Sequence, residues 1–457
     1  MSPATDFDAE DLRAKLDGSV FVPGDAGFEA ACLGFNLAHA FRPDVAVLAG
    51  STRDVVAAVR HANEADLAVH VQSTGHGYPH QAHGGMLINT SGMQSLALDP
   101  QQRSARVGAG VRWDRVIEEA APHGLAPLNG SSPDVGVVGY TLGGGMGPMG
   151  RTFGFAADRV RGIQLVTADG SLVEVNAESE PELFWALRGG KCAVGIVTEL
   201  EFDLVSVPHV YGGAIFFAGS DAPTIMHAYG AWVQELPEST TASIALLRLP
   251  DDEQIPGPLR GKLSVHLRYV HVGDETAGAA LLEPMRRAGT PLVDLVGMMP
   301  YTAIASVHQD PTDPMPAWEG SVLLRGLDAG AIDALLGAAG PETDVPLIMA
   351  EIRHLGGALA RGPEHENAVG GRDAAFSVMV VGPYPPPLMG AVEAAGQAVL
   401  EAMEPWAHGG TQINFQGFAG SPEAVRKAWA EPTAERLRAL KTAWDPGCRF
   451  SFGYSMD

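Results

Sequence analysis

STGHGYPHQAHGG, residues 73–85, follows the β-branched run LAVHVQ (67–72) and precedes a second apolar run at 86–89, inside GGMLINTSGM. It sets His76, His80 and His83 among glycines, where the backbone is least constrained. A zinc site needs three or four converging ligands, usually from helix faces or paired knuckles. Gly75, Gly77 and Pro79 forbid a helix here and no second ligand pair stands nearby, so no metal is expected. A plain loop with solvated histidines and a loop that holds a cofactor both remain open.

Upstream, STRDVVAAVRHANEADL opens with Ser51 as an N-cap and spaces Val55, Val56, Val59 and Ala62 along one helical face. Downstream, VRWDRVIEEAAPHGL puts Trp113, Val116, Ile117 and Ala120 on one side and stops at Pro122 and Gly124. GIQLVTADGSLVEV reads as two strands about an Asp169-Gly170 turn, and GIVTELEFDL as a further strand. From about residue 206 the texture changes to strand candidates such as ASIALLRL, KLSVHLRYV and AAFSVMVVG, separated by alanine-rich helical stretches.

With 457 residues the chain is long enough for two domains and a cleft. Hydrophobic residues at 46% and charged residues at 18% suit a folded globular protein. A net charge of −24 repels phosphate backbones and anionic bilayers, so neither nucleic acid nor membrane is expected as a partner. No basic-then-apolar leader and no apolar run of spanning length are seen, which makes the cytoplasm the expected location. Three widely spaced cysteines form neither a disulfide framework nor a zinc ribbon.

A second glycine cluster, VGVVGYTLGGGMGPMGRTFG (135–154), contains the string GxGxxG, but Pro148 and Gly154 spoil the helix that a dinucleotide fingerprint must open. What it offers is backbone N–H groups free of side chains, suited to close contact with a flat or anionic cofactor.

These two clusters, together with RPDVAVLAGSTRDVVAAVRHA, ELFWALRGG, GIVTELEFDL and RLRALKTAWDPGCRF, resemble in order and spacing the flavoproteins of the vanillyl-alcohol oxidase or p-cresol methylhydroxylase (PCMH) type, in their berberine-bridge-enzyme-like bacterial branch. The resemblance extends over nearly the whole chain. It implies an α+β fold: a two-part FAD-binding domain over 1–205, a substrate domain over 206–405 with an antiparallel sheet backed by helices, and a C-terminal segment, 406–457, returning to the first domain. It also implies FAD as cofactor, bound through Ser73, Thr74, Gly75, His76, Gly77 and Tyr78, with His76 as the covalent anchor. Ser132 stands where some relatives have a second, cysteine tether, so a single attachment is expected. Val135 falls at the family's oxygen gate, where valine resembles the oxidases. Gly139, Gly143 and Gly144 are expected at the ring, Asp158, Gly195 and Val197 at the adenosine side, and Asn414 closes the set.

Lys191-Cys192-Ala193-Val194 departs from the family's usual glycine-rich text, and Gln412 replaces the tyrosine of its YxN motif. Glutamine is no general base. Proton abstraction is therefore expected from Glu351 or His354, with Tyr454 as a further catalytic candidate near the chain end. Alternation puts Glu351 and Arg353 on one strand face, which is equally the pattern of a structural ion pair. The resemblance implies hydride transfer from a small organic substrate, an alcohol, amine or natural-product intermediate of secondary metabolism, to FAD and then to O2, giving H2O2. An oxygenase or oxidative cyclase, and a flavin-holding protein without turnover, are the open alternatives.

Overall fold

The computed structural model of the chain describes residues 9–38, 41–77, 83–191, 193–417 and 421–450. The fold is α+β, as expected, with two sheets in the N-terminal lobe and one large sheet after it.

The first sheet runs in the order Ser19–Phe21, Val45–Leu48, Met86–Asn89, Val69–Gln72, its last three strands parallel. The helix Thr52–Glu64 is the crossover from Val45–Leu48 to Val69–Gln72, with Met86–Asn89 lying between those two strands in the sheet. Its Ser51 cap accepts from Asp54 N at 3.2 Å, satisfying one of the donors that a helix start leaves free. The fully buried Asp54 carboxylate accepts from Gly50 N and Asp17 N, both at 2.9 Å. Ala49–Gly50, Ser73–Gly77 and Thr90–Gly92 thus emerge together at the carboxyl ends of three parallel strands, the edge where α/β sheets place their ligands.

The second sheet is antiparallel, in the order Leu96–Asp99, Ser104–Gly108, Gly195–Asp203, Val160–Thr167, Leu172–Val175. Its apolar side joins Trp113, Val116, Ile117 and the helices Val137–Leu142 and Pro181–Leu187 in one core.

The third sheet has eight antiparallel strands between His209 and Pro383. Period-two alternation divides its faces. Ile244, Leu246, Leu267, Tyr269, Ala350, Ile352, Val378 and Val380 pack with the helices Ala222–Trp232, Ala329–Ala339 and Met389–Ala402. The opposite face carries Ser243, His266, Arg268, Glu351, Arg353 and Ser377, all in contiguous register: Arg268 opposite Ser243, Ser243 opposite Arg353, Arg353 opposite Ser377. A sheet polar on its covered face must satisfy those groups inside the protein.

Arginine holds this face to the N-terminal lobe. Arg151, buried in the short helix Gly150–Phe153, donates to the carbonyls of Thr240 (2.8 Å), Leu236 (3.1 Å) and Leu355 and to His354 Nε2 (3.1 Å). Asn36 closes the other side, donating to Ala317 O at 2.9 Å and accepting from Ala317 N at 3.1 Å. Arg151→Met strands several buried carbonyls, each costing about 1–3 kcal/mol. We expect the thermal unfolding midpoint to fall by several degrees; a midpoint within one degree of the parent would show that the lobes are held elsewhere.

Candidate flavin cleft and active site

The loop after Val69–Gln72 is pressed on the segment 34–36. Gly75 has φ +68, and a Cβ there would lie 2.4 Å from Gly34 Cα, so only glycine fits. Phe35 N donates to Thr74 O at 2.9 Å and Asn36 N to Gly75 O at 3.1 Å. The register turns His76 face to face with Phe35, ring centroids 4.1 Å apart and planes 10° from parallel. Nδ1 of His76 lies 2.8 Å from Thr74 Oγ1, while Nε2 is buried with no partner among the described residues. Burial, aided by the Arg112 cation, pushes the imidazole down to a pKa of about 4, so it is neutral at pH 7. Arg112 is ion-paired to Asp134, which brings the 132–136 turn to the same place. There Ser73 Oγ is also buried without a partner among the described residues, 3.3 Å from where a Gly136 Cβ would stand.

Ser73, Thr74, Gly75, His76, Gly77, Ser132 and Val135 therefore come together; Gly77 is exposed, and Val135 is half-buried against the lobe's core. Gly139 is exposed on its helix with open space around it. Two orphaned polar atoms, a neutral imidazole and a bare stretch of helix suit a flat cofactor with polar edges, so these residues fit FAD.

Other residues expected at the cofactor have protein partners in the structure. Asp158 accepts from Phe155 N (2.9 Å), Asn367 Nδ2 (2.8 Å) and Arg372 (2.5 Å), a latch between segments distant in the chain. Val197 is a core side chain of its strand, and a Cβ on Gly195 would strike Val166 O at 2.6 Å, a strand-packing constraint. Asn414 donates to Tyr140 O (2.8 Å) and accepts from Lys191 Nζ (2.9 Å). It sits so close to Gly143 that a Cβ there would lie 2.0 Å from its Oδ1. Gly144, at φ +103, packs against Val369 and Phe155. These three serve protein-to-protein packing in the structure.

Neither expected base is free to act. Glu351 is fully buried, and its oxygens accept from Arg268 Nη1 (2.5 Å), Arg353 Nε (2.8 Å) and Ser243 Oγ (2.7 Å). Although burial raises its pKa, the two guanidiniums together outweigh it and hold the carboxyl well below the usual range. The structural ion pair is the reading that stands. His354 Nε2 receives Arg151 and its ring stacks on Phe376, while burial and then Arg151 lower it to a pKa of about 3. Tyr78, His80 and Tyr454 lie outside the described residues, and His83 is exposed on the strand bridge to Arg42.

Between Met146–Pro148 and the polar sheet face lies a cavity with about 400 Å³ of empty space, mouth included, lined by Ser243, Arg268, His308 and Arg353. Arg268 and His308 escaped sequence reasoning. For Arg268 the signal was present, since it and His266 interrupt the apolar alternation of LSVHLRYVH on a single face; His308, after the helical turn Tyr301–Val307, has no such pattern around it.

A family profile described as an FAD binding domain matches residues 43–176. The chain is 30% identical to (R)-6-hydroxynicotine oxidase of Paenarthrobacter nicotinovorans over 304 residues, which is 65% of this chain and 64% of that enzyme, so the match spans just under two thirds of the relative. The solved structure of 6-hydroxy-D-nicotine oxidase from Arthrobacter nicotinovorans superposes with a TM-score of 0.84 at 25% identity, covering 97% of this chain and 98% of that one. Glucooligosaccharide oxidase of Acremonium strictum, whose FAD is 6-S-cysteinyl and 8α-N1-histidyl linked, superposes at 0.84 with 21% identity over 98% and 99%. The chain carries an FAD binding domain and, along its length, the fold of the vanillyl-alcohol oxidase and berberine-bridge-enzyme-like flavoproteins.

The histidines set the response to acid. His308 is lowered to about 3, by burial first and then by Arg268 and Arg353, against the opposing pull of Asp310 and Glu351. Its folded pKa lies below the unfolded value of about 6.5, so the unfolded chain takes up a proton that the native one refuses. The stability this provides is complete above about pH 6.5 and declines as the pH falls toward 3, by up to about 1.4 kcal/mol per pH unit for one such group. Urea unfolding at pH 7, 6 and 5 is expected to show this slope, flattened by about one proton in His308→Asn; an unchanged slope in the variant contradicts the assignment.

Proposed function

We propose that the protein is an FAD-dependent oxidase acting on a small organic molecule, with O2 as electron acceptor. The observation that carries the reading is the neutral, stacked His76 beside the orphaned Ser73 hydroxyl, at the carboxyl ends of the parallel strands and within the FAD binding domain. When bound, FAD would supply the two-electron chemistry, taking a hydride from a substrate C–H bond and passing the electrons to O2 to give H2O2.

His76 is the proposed covalent anchor. A neutral imidazole nitrogen is nucleophilic, and Phe35 stacking with Thr74 hydrogen bonding fixes the ring so that its free Nε2 is the available atom. Ser132 has no thiol, which supports attachment at His76 alone. Ser73, Thr74, Gly77 and Gly139 hold the cofactor's polar edge and face, and Tyr78 and Tyr454 are proposed to border it. Val135 is proposed to leave oxygen access. The chain's remaining tasks are to orient the substrate carbon and exclude water: the sheet's polar face, cross-linked through Glu351, forms the rigid roof, and Met146–Pro148 faces it. The division into an FAD domain (1–205), a substrate domain (206–405) and a returning segment (406–457) accompanies this reading, as does a bacterial cytoplasmic role in secondary metabolism. Among the described residues no helix is long and apolar enough to cross a membrane.

Anaerobic mixing of the purified yellow protein with candidate alcohols, amines and phenolic metabolites is expected to bleach the flavin with at least one, and air to restore the colour with one H2O2 per turnover. A flavin that no substrate bleaches, or bleaching followed by incorporation of labelled oxygen into product, would contradict an oxidase.

A further inference from the structure

The cavity under the third sheet contains more hydrogen-bond donors than the protein uses. Arg268 is 3% exposed, and its guanidinium has two edges. Nη1 binds Glu351. The other edge presents Nε and Nη2 side by side: Nε is buried without a partner among the described residues, and Nη2 meets only the thioether of Met349, at 3.5 Å. Arg353 spends its Nε on Glu351 and reaches the same cavity. His308, also lining it, has Nδ1 buried without a partner among the described residues. Glu351 cannot satisfy these groups, because it already accepts from two guanidiniums and the Ser243 hydroxyl. Asp310, half-buried, acts on Arg353 and His308.

An unpaired buried donor is costly, and a charged one more so, unless something arrives to pair with it. The planar Nε–Nη2 edge of an arginine matches the two oxygens of a carboxylate in spacing and charge. A neutral amide offers one acceptor and would set its own N–H2 against a guanidinium. Glu351 is the brace: it takes one nitrogen of each arginine, and both side chains line the cavity.

We infer that this cavity is a carboxylate-binding subsite and that the substrate is an organic acid, docked by its carboxylate on the free edge of Arg268 with Arg353 alongside. The inference rests on the oxidase reading for its meaning, but it is tested by binding alone.

Isothermal titration of the full-length, flavin-containing protein compares benzoate and phenylacetate with benzamide and phenylacetamide at pH 7.5. The acids are expected to bind at least tenfold more tightly than their matched amides. Arg268→Gln and Arg353→Gln are each expected to weaken the acids tenfold or more while changing the amides less than twofold. Should either variant fold poorly, the acid-to-amide ratio on the parent protein decides. Equal affinities, tighter amides, or no saturable binding of either acid overturns the subsite. A protein that bleaches with neutral substrates yet shows no preference for acids would refute this inference alone; one without flavin would refute the oxidase reading.

Discussion

The approach of two backbones at Gly34 and Gly75, too close for any side chain, is the constraint from which the site follows. It fastens the loop after Val69–Gln72 to the segment 34–36, and that segment is joined through Asn36 and Met315 to the start of the strand Ala317–Leu324. A loop that glycine would otherwise leave free to move becomes a fixed shelf between two lobes. The imidazole on it is half-buried, stacked and neutral for that reason, and those are the properties an anchor needs before a cofactor arrives.

The same economy appears on the far side of the cleft. The third sheet buries its apolar face under helices and presents charge to the N-terminal lobe. Such a face is costly wherever its groups stay unpaired, so most of it is cross-linked. Glu351 supplies the closure between Arg268 and Arg353, Arg151 bonds the lobe to the strand ends, and Arg372 holds Asp158 and lies over the ring of Phe155 at 4.9 Å. Arginine rather than lysine fits each place because several acceptors must be reached from one rigid plane.

Much of this was legible in the amino acids. The helix over Thr52–Glu64, its Ser51 cap, the strands flanking 73–85 and the antiparallel character of the second half all follow from period and cap, which are local properties. His76 was singled out by its motif, and the structure adds its stacking on Phe35. What was not legible depends on pairing across the chain. Asp158 and Asn414 look like ligand residues until Arg372, Lys191 and Tyr140, each far away in sequence, are seen to consume them. Glu351 and His354 look like bases until two guanidiniums and Arg151 take their lone pairs. A residue type announces what it can do, and only its neighbours decide whether it remains free to do it.

Trypsin should release residues 61–103 as one peptide, since no lysine or arginine lies between Arg60 and Arg103. Mass spectrometry of that peptide from acid-denatured protein tests the account at its root. The account predicts a yellow precipitate and a peptide heavier by one flavin nucleotide, with fragmentation placing the added mass on His76. An unmodified peptide from a colourless precipitate would contradict it.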